Sequence, residues 1–166
     1  MLALAMTLFC GCQTNKKEKP EDRVGALRIH LETAADDSGT SQTIQVMRSN
    51  PVMITISRDP ILTEASIIRA DVINTPGGFA VQLRFDELAA LSLEQYSASN
   101  VGQHFAIFGQ WGDKLKQGRW LAAPLITRRI SNGVLTFTPD ASRAECNLLV
   151  LGLNNVARKL NQGHLK

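Results

Sequence analysis

The stretch from Pro60 to Asn100, PILTEASIIRADVINTPGGFAVQLRFDELAALSLEQYSASN, constrains the fold more than any other part of the chain. Ile67 to Asn74 is rich in β-branched residues and reads as a strand. Thr75-Pro76-Gly77-Gly78 then reverses the chain. Phe79, Val81, Leu83 and Phe85 alternate with Ala80, Gln82 and Arg84, so the returning strand has one wholly apolar face. Asp86 stands at a helix N-cap position, and Ala89, Leu93 and Tyr96 follow at helical spacing beside Leu88 and Leu91. The pattern describes a hairpin laid against a core and passing directly into a helix that stops at Ser99-Asn100. Thr63 is expected to cap a short helical turn containing Glu64, just ahead of the hairpin.

Shorter alternating segments flank this block. Leu27, Ile29 and Leu31 alternate with Arg28, His30 and Glu32, which predicts a strand with His30 directed to solvent. A polar loop from Ala34 to Gln42 precedes two more alternating segments, Ile44 with Val46 and Val52 with Ile54 and Ile56, separated by a turn at Asn50-Pro51. After the helix, HFAIF is a strand, GQWGDKLKQG a loop and RWLAAPLI a further strand interrupted by Pro124. Proline cannot donate to a sheet ladder, so that strand belongs at an edge or carries a bulge.

A turn at Asn132-Gly133 leads to a short strand ending at Phe137, and Thr138-Pro139-Asp140 then reads as a helix start. Leu149, Leu153, Val156 and Leu160 give that last helix one apolar stripe, with Gly152 beside it allowing close approach to a strand and Gly163 suiting its stop. The expected class is α+β: a mostly antiparallel sheet with two main helices packed on one face.

The N-terminus carries different information. Met1 to Phe9 is apolar but too short to span a bilayer, which takes about 20 residues. It has the length of a signal-peptide apolar region. The run ends in Phe9-Cys10-Gly11-Cys12, which resembles the lipobox of bacterial lipoproteins, although Phe9 replaces the usual leucine and no basic residue precedes the apolar run. By that resemblance residues 1–11 are a signal peptide, Cys12 is the lipidated residue, and the protein is extracytoplasmic and lipid-anchored to a bacterial membrane on its periplasmic side. A buried N-terminal strand or helix end is the alternative. Residues 12–23, rich in Lys, Glu and Asp, read as a disordered tether, leaving 24–166 as a single domain. Removal of Cys10 and acylation of Cys12 leave Cys146 alone, so no intramolecular disulfide forms.

At 166 residues the chain is long enough to bury its own core. A net charge of +3, without Lys and Arg interleaved with aromatics beyond the N-terminal tether, gives nucleic-acid binding little support. His30, His104 and His164 are widely spaced and no HExxH or Cys-rich pattern accompanies them, so no metal site and no cofactor are expected. GxSxG, Walker and GxGxxG strings do not occur, TPGGF is a turn, and Asp86-Glu87 is accounted for by a helix start.

The segment QWGDKLKQGRW is the candidate protein-contact site: Trp111, Lys114, Lys116, Arg119 and Trp120 are residue types that suit an interface. Core packing of Trp120 and plain solvation of the lysines are the competing reading. Arg128 and Arg129 either extend a basic rim or guard the sheet edge.

The segments PILTEASIIRADV, FAVQLRF, SASNVGQHFAIF, WLAAPLI and FTPDASRAECNLLVLGL, in this order, resemble the head subdomain of the first periplasmic region of SecD-type protein-export subunits, over roughly residues 60–160. Asn100 and Gly102 match that family's turn, Ala106 and Ile107 its strand, Ala123 and Pro124 the next, and Phe137-Thr138 with Ala144-Glu145 the helix entry. The resemblance implies a SecD-head fold and a non-catalytic binding domain without the proton-driven membrane part. Its expected partner is a protein or unfolded polypeptide, with membrane contact through the lipid at Cys12. A structural lipoprotein docking on one dedicated partner and a small enzyme with a scattered site are the rival readings.

Overall fold

The computed structural model describes residues 19–36 and 39–163. Among the described residues, nine strands and two α-helices make an α+β fold in which every strand pair is antiparallel. The expected sheet is divided into three. Strands β1 (Ala26–Leu31), β4 (Leu62–Thr63), β7 (Phe105–Trp111) and β8 (Gln117–Ala122) form a four-stranded sheet in the order β4-β1-β7-β8. Strands β2 (Ser41–Val46) and β3 (Val52–Ser57) pair as a separate hairpin. Strands β5 (Ile67–Thr75), β6 (Gly78–Phe85) and β9 (Val134–Phe137) form the third sheet, with β6 in the middle. Helix α1 spans Glu87–Ser99 and α2 spans Arg143–Gly163.

The β5–β6 hairpin and α1 form where the sequence places them. Gly77, at φ 93, takes the left-handed conformation that the two-residue turn after Thr75 needs. The Asp86 carboxylate accepts from the Ala89 N–H at 2.8 Å and caps α1. On that helix Ala89, Leu93 and Ser97 are buried, Tyr96 is half-buried, and Leu88 and Leu91 face solvent. Thr63 makes no side-chain cap; the single 3-10 turn at Glu64–Ser66 has the Ser66 hydroxyl donating to the Thr63 carbonyl instead.

The main core lies between the four-stranded sheet, the β5–β6–β9 sheet and the two helices, with Leu27, Ile29, Leu83, Phe105, Ile107, Leu121 and Leu153 among its members. A second, smaller core lies on the other face of the four-stranded sheet, where Ile44, Val46, Ile54 and Ile56 of the β2–β3 hairpin pack over Ala106 with Trp120 and Ala123 against them. That covering explains the correction at His30. The residue is buried rather than solvent-facing, because β1 has protein on both faces.

Helix α2 begins four residues after Pro139. Ser142 and Glu145 form a reciprocal capping box: the Ser142 N–H and hydroxyl donate to Glu145 Oε2 at 2.8 and 2.9 Å, and the Glu145 N–H donates to the Ser142 hydroxyl at 3.3 Å. Asp140 ties the β2–β3 turn down, accepting from the Arg48 N–H at 2.8 Å and from Arg48 Nε at 3.1 Å. The buried stripe of α2 runs through Cys146, Leu149, Leu153 and Ala157, while Val156 is half-buried and Leu160 is exposed. Asn154 bonds both the N–H and the carbonyl of Ala70 at 2.8 and 2.9 Å, which occupies the outer edge of β5 as a strand would.

Packing extends four residues ahead of Val24. Pro20–Asp22 forms a 3-10 turn, and the buried Asn155 side chain donates to the Pro20 and Arg23 carbonyls at 2.8 and 3.0 Å. Cys10, Cys12, the basic residues Lys16 and Lys17, and His164 lie outside the described residues. None of the described helices is long and apolar enough to cross a membrane.

Candidate functional site

Strand alternation separates the two tryptophans of the expected contact loop. Most of that segment is hairpin: β7 runs on to Trp111 and β8 starts at Gln117, leaving only Gly112 to Lys116 as connection. Trp111 is fully buried in the main core, so its ring offers no contact surface. Arg119 lies over it, 5.1 Å from guanidinium carbon to ring centroid, and pairs with Glu145 at the start of α2. Trp120 turns to the opposite face of β8, as neighbouring strand residues must. There it meets His30 and Phe108 edge to face at 5.4 and 5.2 Å. Lys114 and Lys116 are exposed at the hairpin tip. The five candidates therefore occupy three places and form no common surface.

Pro124 follows the end of β8, which is the edge strand of its sheet and carries a bulge at Leu121, between the pairs Ile107↔Ala122 and Phe108↔Trp120. Asn100 closes α1, its backbone and side-chain N–H groups both donating to the Tyr96 carbonyl at 3.1 and 2.8 Å. Gly102 follows at φ 93. These three residues share one task. The Gly102 N–H donates to the Ile126 carbonyl at 2.9 Å, the Ile126 N–H to the Gln103 carbonyl at 2.8 Å, and the Phe105 N–H to the Pro124 carbonyl at 3.1 Å. The far end of the same segment is held by α1, where the Ser97 hydroxyl accepts from the Ile130 N–H at 2.8 Å and Glu94 pairs with Arg129.

The segment so held forms one wall of a groove of about 540 Å³, whose other side includes Val134, Leu135 and Thr136 of β9. Among the described residues β9 pairs only with β6, so its outer edge is open there. The Phe85 N–H donates to the Gly133 carbonyl at 3.0 Å. Bonded and non-bonded pairs alternate in an antiparallel ladder, so Leu83↔Leu135 and Val81↔Phe137 are bonded pairs, and Val134 and Thr136 turn their backbone groups away from β6. The Val134 N–H is taken by the Asn132 side chain at 3.1 Å. The Val134 carbonyl and both backbone groups of Thr136 face outward. Leu125 is exposed beside the groove, and Arg128 stands there without an ion-pair partner among the described residues.

Sequence reasoning missed this groove, since residues 125–132 show neither period; the Arg128-Arg129 pair beside Pro124 was its one signal.

Metal chemistry finds no donor set: among the described residues no three His, Cys, Asp or Glu side chains gather, and His104 Nδ1 lies 2.6 Å from Glu32 Oε2 alone. His30 Nδ1 donates to the Ser57 carbonyl at 2.9 Å, and burial holds its pKa below the ordinary histidine value. The thiol of Cys146 is pushed up to about 11, chiefly by burial.

No curated protein sequence matches the chain significantly. Among solved structures, one of SecDF, described as a membrane component that enhances protein export, superposes at TM-score 0.56 with 18% identity, covering 80% of this chain and 63% of that one. A second, of SecDF in a form called super-membrane-facing, superposes at TM-score 0.56 with 19% identity over 79% of this chain and 19% of that one. The chain thus spans less than two-thirds of either. At these identities the likeness establishes the fold. The sequence itself matches the SecDF P1 head subdomain family over residues 41–157, a range that starts ahead of Pro60 and takes in the β2–β3 hairpin. The chain belongs to the SecDF P1 head subdomain family.

Proposed function

We propose that this protein is a non-catalytic polypeptide-binding head, held at the periplasmic side of a bacterial membrane by a lipid on Cys12, which takes extended segments of exported chains along the open edge of β9. The observation that carries this reading is the edge itself: outward Val134 and Thr136 backbone groups bordering a groove whose opposite wall is stapled at both ends. An extended segment adding there as a strand gains main-chain hydrogen bonds whatever its sequence, which suits a head that meets many clients. Leu125 supplies an apolar contact and Arg128 a partner for acidic side chains. Lys114 and Lys116 at the β7–β8 tip add positive charge that steers acidic chains by long-range attraction.

The test is a titration of the protein carrying Cys12→Ser with one secreted protein, presented folded and then permanently unfolded. Preferential binding of the unfolded form is expected. Thr136→Pro removes the outward N–H while leaving the β6 ladder bonds intact, so it should weaken binding about tenfold, the worth of roughly one hydrogen bond to an extended chain. An unchanged affinity in that variant, or equal binding of both forms, would point to docking on a dedicated partner. For the anchor, Cys12→Ser should abolish fatty-acid labelling and release the protein from the membrane fraction; labelling that persists would remove Cys12 from the account.

A further inference from the structure

A second concavity, of about 300 Å³, lies on the other side of the molecule, between the β1–β7–β8 face and the β2–β3 hairpin. Its walls are aromatic and its rim is cationic. Trp120 and Phe108 meet edge to face, and His30 completes the aromatic surface from β1. Arg28, also on β1, is exposed, and its side chain makes no hydrogen bond or ion pair among the described residues. Arg58, just after β3, donates from Nε to the Ser41 carbonyl at 3.1 Å, which orients the guanidinium and leaves its two terminal nitrogens without a hydrogen-bond partner among the described residues. Gln42 supplies an amide on the hairpin side.

The histidine is set up in one tautomer. A carbonyl only accepts, so the 2.9 Å contact of Nδ1 with Ser57 makes Nδ1 the donor and leaves Nε2 as a bare acceptor in the neutral ring. Two unpaired guanidiniums beside an aromatic lining of this size match a planar anion with an apolar body. Arginine binds carboxylates through two parallel N–H bonds, and the volume lies at the lower end of small-molecule sites, about 300–1,000 Å³.

We propose that this pocket binds a carboxylate carried on an aromatic body, the carboxylate on Arg28 and Arg58 and the ring against Trp120 and Phe108. The site is independent of the β9 groove. Its ligand chemistry has two sources, a free aromatic acid or the C-terminal carboxylate of a chain ending in an aromatic residue.

Binding should be linked to His30. The charged groups acting on its ring are Arg28 on β1 and Asp59 after β3, with Arg58 on the same rim; β7 and β8 present Phe108 and Trp120, and β2 presents Gln42. A bound carboxylate adds negative charge beside the ring, favours its protonated form and so binds more tightly as the pH falls.

The experiment uses the full chain carrying Cys12→Ser and follows the His30 and Trp120 ring resonances by NMR. The probes are 3-phenylpropanoate, its amide, inorganic phosphate, and a pentapeptide ending in Phe as free acid and as amide. The two free acids are expected to saturate both rings, the amides and phosphate not to. Whichever acid binds more tightly identifies the source. Affinity should rise as the pH falls from 8 to 5, by at most about tenfold for a one-unit upward shift of the histidine. Arg28→Gln and Arg58→Gln, both at exposed positions, should each reduce affinity about tenfold or more, the first without changing the unfolding midpoint and the second lowering it only by the loss of one exposed hydrogen bond to Ser41. Equal binding of acid and amide, no saturable shift at His30, or undiminished affinity in both arginine variants would overturn the assignment.

Discussion

Gly152 of α2 crosses Gly25, the residue before β1, backbone against backbone. A Cβ on Gly152 would fall on the Gly25 nitrogen and 2.7 Å from the Val24 carbonyl oxygen, and one on Gly25 would lie 2.8 Å from the Leu149 carbonyl oxygen. Replacing a glycine by alanine inside an exposed helix ordinarily gains about 1 kcal/mol. Here the sign should reverse. Gly152→Ala is expected to cost about 1–3 kcal/mol through overpacking, measured by urea unfolding, whereas Gly102→Ala, which meets open space, should lose stability only through its positive φ.

Trp111→Ala should remove about 3–5 kcal/mol, the range for a buried aromatic ring cut back to a methyl. The variant should also release Arg119 from its stacking position. Because Trp111 lies away from the β9 groove, binding of unfolded chains should survive at temperatures where the variant remains folded. Loss of binding without loss of fold would restore the hairpin as the contact surface.

Two carboxylates make the fold acid-sensitive. Asp140 is held below its ordinary value of 3.8, chiefly by the hydrogen bond from Arg48, and Glu145 below 4.5, chiefly by the N–H of Ser142. A carboxylate whose pKa is lower in the folded state stabilises the fold above its unfolded value, and that contribution disappears as the pH falls through the folded one. The unfolding midpoint should therefore begin to decline below about pH 6.5, where His30, held below its ordinary value by burial, takes up a proton more readily in the unfolded chain, and should fall further below about pH 4 as the two carboxylates protonate. Arg48→Gln should make the fall shallower, as read from thermal unfolding at a series of pH values.

Cys146, with its thiol pushed up to about 11 inside the core, should be inert. In protein carrying Cys10→Ser and Cys12→Ser, a thiol reagent at pH 8 should label nothing until denaturant is added. Labelling of the native protein at the rate of a free thiol would mean that α2 opens on its own.

Local signals were legible where local physics decides the outcome. The β5–β6 hairpin and α1 follow from alternation, Pro76-Gly77 and the Asp86 cap, all within 40 or so residues of chain. Misreadings occur where a distant part of the chain intervenes. Asp140 has the look of a first-turn acid, but its carboxylate is engaged by Arg48, 92 residues away, so the helix waits for Ser142. His30 sits at a nominally polar position that only the β2–β3 hairpin buries. QWGDKLKQG has the composition of a loop, yet β7 and β8 take its first two and last two residues; Gly109 lets Leu121 pack in the space a side chain would fill, with Cδ1 2.5 Å from where a Cβ would stand. The β9 groove was beyond reach for a similar reason: an open edge is a property of strand order, and no window of sequence carries it.

The central place of β1 has a mechanical side. It is bonded by β7 along six residue pairs and by β4 on its other side, and the residues ahead of it are clasped by Asn155 at Pro20 and Arg23. Tension applied to the N-terminal end would first load that clasp. It would then act along the strand, across the direction of the ladder bonds, so that they bear the load together in shear instead of opening singly. Were the head held from its N-terminus, the pull would meet β1 in shear, while the β9 edge belongs to another sheet.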